Sequence, residues 1–83
     1  MATVIVVLEH ARLCGSLDVY LLADAFIWYV VIGIEMSEGE ARAAADFYAD
    51  AASMPVQVTE DEVYSYPREA DARREFERLR EGG

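Results

Sequence analysis

The sequence predicts an α+β domain with the element order β-β-β-α-β-β-α, its two helices on one face of a small antiparallel or mixed sheet. Three observations point there. Short β-branched and aromatic runs recur along the chain, two amphipathic segments carry helix-start signals, and one motif occurs twice. Glu40-Ala41-Arg42-Ala43-Ala44-Ala45-Asp46-Phe47 and Glu69-Ala70-Asp71-Ala72-Arg73-Arg74-Glu75-Phe76 share Glu-Ala-x-Ala-x-x-x-Phe. A repeated motif of this kind signals a repeated supersecondary unit. It divides the single domain, residues 1–83, into two ββα units at about 19–53 and 56–83.

Residues 3–8 are β-branched and apolar and read as the first strand. Cys14-Gly15-Ser16 turns the chain. Residues 17–23 then form either a second strand or a short helix capped by Ser16, and the strand is the preferred reading. Residues 27–34, Ile-Trp-Tyr-Val-Val-Ile-Gly-Ile, are apolar on both alternating faces, as suits a central strand. Ser37 and Glu40 make the Ser-x-x-Glu capping box, with Met36 and Ala41 placed to staple it, and open a helix over about 38–53. In that helix Ala44, Phe47, Tyr48 and Ala51 form the apolar face, opposite a stripe of Glu38, Arg42, Asp46 and Asp50. Residues 56–59 and 63–66 alternate as strands joined by a Glu60-Asp61-Glu62 hairpin turn. Pro67 takes the first position of a second helix, about 67–81, with Ala72, Phe76 and Leu79 on its apolar face. Glu69 to Arg73 and Asp71 to Arg74 are its expected surface pairs, and Gly82-Gly83 ends it.

The composition excludes several chemistries. One cysteine, Cys14, forms neither an internal disulfide nor a four-thiolate zinc site. One histidine, His10, gives no paired-imidazole metal site, and the absence of Lys removes Schiff-base chemistry and the phosphate-binding P-loop. His10 and Cys14, four residues apart, would face each other on a helix, but the segment reads as a strand end and turn. The expectation is a protein that is not an enzyme and needs no cofactor or metal. The apolar N-terminus has no basic lead and meets Glu9, His10 and Arg12 too soon for a signal peptide. The longest apolar run is broken by Asp18 and Asp24, which leaves residues 25–34, short of the roughly 20 needed to span a bilayer. A cytoplasmic chain without membrane contact is expected.

The formal net charge is −9, and it is local. Residues 35–66 hold eight acids against Arg42 alone, whereas residues 67–83 balance five acids with five Arg. Such a surface attracts a basic protein and repels phosphate backbones, so a basic protein partner is expected and direct nucleic-acid binding is not. Trp28, Tyr29, Tyr64 and Tyr66 accordingly read as packing aromatics and not as a base-stacking platform. The candidate partner-binding residues are Glu38, Asp46, Asp50, Glu60, Asp61 and Glu62. In this charge pattern, size and lack of catalytic groups the chain resembles the small acidic phage-type inhibitors of CRISPR and restriction complexes. The resemblance implies a nucleic-acid mimic that inhibits or regulates a nucleic-acid-handling protein. Two alternatives remain open. Leu79-Arg80-Glu81-Gly82-Gly83 resembles the tail of ubiquitin-like modifiers and sulfur carriers, and a sheet edge with Trp28 and its neighbouring aromatics could build a homodimer.

Overall fold

The computed structural model describes residues 4–13, 15–51 and 62–82, and of residues 48–51 the backbone alone. Its elements are β1 (Val6–Leu13), β2 (Leu17–Ala23), β3 (Trp28–Ile34), α1 (Glu38–Ala51), β4 (Glu62–Tyr66) and α2 (Glu69–Gly82). The four strands form one antiparallel sheet in the order β1-β2-β3-β4. The α+β class is therefore as expected, in the order β-β-β-α-β-α. The strand expected at 56–59 and the Glu60-Asp61 part of the turn lie outside the described residues, as does Cys14.

The helices do not share a face. On β2 and β3, Tyr20, Leu22, Tyr29 and Val31 pack with Ala41 and Ala45 of α1. The alternate residues Val19, Leu21 and Val30 pack with Ala72 and Phe76 of α2. α1 and α2 thus cover opposite sides of the sheet. The physical reason is that the two central strands are apolar on both faces, and a helix on one side only would leave the other wet.

Nor are the two motif copies equivalent. In α2 the motif's Phe76 is 1% exposed, while in α1 its counterpart Phe47 is 49% exposed. The buried side of α1 is centred on Ala41 and Ala45, with Ala44 beside them, and not on Phe47 as the spacing suggested. Among the described residues the expected ββα repeat appears as β2-β3-α1 and β4-α2, the strand expected at 56–59 lying outside them. The capping box forms as expected, since the Ser37 N–H donates to Glu40 Oε1 at 3.1 Å and the Glu40 N–H to Ser37 Oγ at 3.2 Å. Met36 and Ala41 are buried in the same cluster, consistent with the staple. α2 starts later than expected, so Pro67 precedes the helix, and the Ala72 N–H closes the first turn on the Arg68 carbonyl at 3.3 Å.

β1 also runs beyond its expected end, through His10 and Arg12 to Leu13. A bulge at Leu8 explains how its pattern survives. Val7 is in register with Leu22, but Glu9 is in register with Leu21, so the strand gains one residue between them. Ile5 and Val7 therefore pack on the α1 side, whereas Ala11 and Leu13 pack on the α2 side.

Candidate functional site

The acidic residues fall into two groups. Glu38 and Asp46 stand exposed on α1, whose backbone also carries Asp50. Glu62 is exposed at the start of β4, in register with Ile32, which packs on the α2 side of the sheet. Its carboxylate raises the pKa of Tyr64, its neighbour on that face, chiefly by charge repulsion. Glu62 thus lies across the sheet from α1, and it does not share a surface with the helix stripe. Glu60 and Asp61 lie outside the described residues.

Charge balance separates the helices further. On α2, Arg73 binds Glu69 and also Glu9 of β1, each at 2.9 Å, Arg74 stands 4.0 Å from Asp71, and Arg78 and Arg80 pair with Glu75 and Glu77. The carboxylates of α2 are largely answered within the helix. On α1 and the segment leading into it, Glu35, Glu38 and Asp46 make no ion pair among the described residues, and Arg42 is the one base. Exposed pairs contribute little stability. Their effect here is on the field, which is nearly neutral over α2 and negative over α1.

A second constellation escaped the sequence reading. Asp18 of β2 is fully buried, and its carboxylate faces two β1 residues. Arg12 donates from Nε to Oδ1 at 3.0 Å and from Nη2 to Oδ2 at 2.8 Å, and His10 Nε2 lies 2.7 Å from Oδ1. The Arg12 hydrogen bonds hold the Asp18 carboxyl well below the usual carboxylate range, against the opposing effect of burial and with help from His10. The His10 ring stacks on Tyr20 with centroids 4.2 Å apart and planes 9° from parallel. This is how the β1–β2 pair tolerates three polar residues beside a core. A signal existed in the sequence: Arg12 and Asp18 are equidistant from Gly15, so a hairpin turning there places them opposite each other. His10 lies in β1, as the strand reading of this segment expects, and its partner is Asp18; Cys14 lies outside the described residues.

Turn backbone beside this network is unusual. Ser16 has φ 67° and Glu35 φ 49°, and the Glu35 N–H donates to the Ser16 carbonyl at 2.8 Å. At the other end of the sheet the Asp24 carboxylate accepts from the N–H groups of Phe26 and Ile27, both at 2.7 Å, and from the Tyr29 hydroxyl at 3.0 Å. Burial pushes the Asp24 pKa up, but these donors outweigh it and the net shift is downward. The loop so fixed holds Phe26 80% exposed. Trp28, the aromatic singled out from the sequence for a homodimer, is instead half-buried against the α2-side core.

Among the described residues no three His, Cys, Asp or Glu side chains are grouped to hold a metal ion, and no helix is long and apolar enough to cross a membrane. A shallow cleft at the end of α2 is lined by Leu13, Arg78, Leu79 and Gly82. No family model matches the chain, and no curated protein or solved structure matches it.

Proposed function

We propose that this protein is a non-enzymatic binding domain that uses the exposed acidic face of α1 to inhibit or regulate a basic, nucleic-acid-handling protein. The observation that carries the reading is the charge difference between the helices. Five Arg stand among the five carboxylates of residues 67–83, whereas residues 35–51 carry Glu35, Glu38, Glu40, Asp46 and Asp50 with Arg42 as their one base, and Arg12 of β1, which acts on Glu35, is already bonded to Asp18. Carboxylates spaced along one helix present charge at intervals that a groove built for phosphates can accept, and such a face speeds encounter with a basic partner. The surface is narrower than the sequence suggested, because Glu62 lies on the other side of the sheet.

The test is affinity capture from native cell extract at low and high salt, followed by titration of the captured protein against its own nucleic acid. A complex that weakens with salt, loses affinity about ten-fold in the combined Glu38→Ser, Asp46→Ser, Asp50→Ser variant, and competes with nucleic acid supports the reading. The charge-matched triple variant Asp71→Ser, Glu77→Ser, Glu81→Ser on α2 is expected to bind as the parent does. A complex indifferent to the α1 changes sinks the proposal.

A further inference from the structure

We propose that a second copy of this chain pairs with the free edge of β1, antiparallel, with the two-fold axis at Val6, so that two four-stranded sheets join into one of eight. β1 is an outer strand, and among the described residues nothing pairs with its outer edge. An edge strand leaves every second residue's N–H and C=O unpaired by its own sheet, and natural edges are blunted by charge or proline. Residues 4–8, Val-Ile-Val-Val-Leu, contain neither. On β1 Val6 is 51% exposed and Leu8 40%, and Val4, just before the strand, is 76% exposed.

What selects a second copy as the occupant is the symmetry of this run. An antiparallel ladder centred on Val6 sets Val6 against Val6, Ile5 against Val7, and Val4 against Leu8, and every pair is apolar. Side chains from the same side of each sheet meet, since Ile5 and Val7 both pack on the α1 side. The charges agree. Each chain carries −9, so two copies repel wherever their acids meet, and residues 4–8 are uncharged. Glu9, at the margin of the run, is already paired with Arg73 of its own chain.

The bulge limits the contact. Beyond Leu8 the strand changes register, and Glu9, His10 and Arg12 follow, so the ladder stops after five residues. The interface is isologous and closes on itself, giving a dimer and not a fibre. In a continuous sheet both α1 helices lie on one side, although the pairing itself does not depend on what α1 binds. An interface of this size falls at the small end of specific contacts, below about 1,200 Å² in total. A micromolar dissociation constant is expected.

Sedimentation equilibrium across roughly 1 μM to 1 mM is expected to show a monomer–dimer equilibrium, a range that brackets the micromolar constants typical of small interfaces. Val6→Lys should weaken it at least ten-fold. Ile34→Lys, which changes an even more exposed apolar residue at the end of β3, should leave it unchanged. Circular dichroism checks that both variants fold. The register has its own readout: in a Cys14→Ser background, Val6→Cys should oxidise to a covalent dimer, while Ile34→Cys should not. A wild-type chain that stays monomeric up to ~1 mM overturns the proposal, as does a dimer that persists in Val6→Lys.

Discussion

The hydroxyl of Tyr20 donates to the carbonyl of Met36 at 2.6 Å, a buried hydrogen bond that ties the middle of β2 to the residue before the cap of α1. It crosses from sheet to helix where the chain has left β3, and it anchors the residue before the α1 cap to the sheet. Burial raises the pKa of this hydroxyl, which keeps it a donor throughout the neutral range. Tyr20→Phe leaves the Met36 carbonyl without that donor while preserving the ring that stacks on His10. A loss of about 1–2 kcal/mol in urea unfolding is expected, with faster amide exchange in the first turn of α1. An unchanged unfolding midpoint would mean that water replaces the hydroxyl at no cost.

The Asp18 network makes a pH prediction. Because the folded-state pKa of Asp18 is depressed, its contribution is complete above the unfolded value, near 4. It is lost as the pH falls from there through the depressed folded value, since the unfolded chain takes up the proton first. Asp18→Asn should cost roughly 1.5–3 kcal/mol at pH 7, the worth of hydrogen bonds to a charged group, because the Arg12 it leaves unpaired is more than half exposed. The gap between wild type and variant should then narrow steadily below about pH 4. Urea unfolding of both proteins at pH 7, 4 and 3 measures it, and a gap independent of pH would rule out the charged pair as its source.

The two copies of the repeated motif give a contrast within one chain. Phe76 is enclosed by Val19, Leu21 and Val30, so Phe76→Ala opens a cavity and should cost about 3–5 kcal/mol. Phe47 holds the same place in the other copy, yet half its surface is exposed, and Phe47→Ala should cost under ~1.5 kcal/mol. Thermal unfolding of the two variants settles this. Two large losses would mean that Phe47 is buried in solution, and two small losses would mean that α2 is loosely held.

That contrast also shows how far the sequence could be read. The helix starts were legible because capping is local: Ser37 and Glu40 bond each other three residues apart, and no distant residue decides it. The face that a helix buries is not local. Phe47 and Phe76 share their motif, but Phe76 packs on the sheet while Phe47 stands half exposed, and only the sheet says which residue is under it. The placement of the helices on opposite faces was implied by residues 27–34, whose apolar alternate positions both require cover. The bulge at Leu8 hid the length of β1, because one added residue shifts the alternation that strand reading relies on. Of the candidate acids, exposure on α1 followed from the helix period, but the separation of Glu62 followed from the β3–β4 register and could not be read locally.

The β2–β3 loop rests on one side chain. The Asp24 carboxylate accepts two backbone N–H bonds and one from Tyr29, and the Asp24 N–H closes the loop on the Ile27 carbonyl at 2.9 Å. Asp24→Ala removes the three carboxylate bonds together and should cost roughly 1–3 kcal/mol, less than their sum because the exposed N–H groups turn to water. Asp24→Asn keeps an oxygen for the backbone donors and should cost about half as much. The local effect is sharper than the global one. Exchange of the Phe26 and Ile27 amides should quicken in Asp24→Ala while the amides of Val19 and Leu21, buried at the sheet centre, change only with the overall stability. If the Phe26 and Ile27 amides exchange at the wild-type rate in that variant, the loop is held by the strands alone, and the outward presentation of Phe26 does not depend on Asp24.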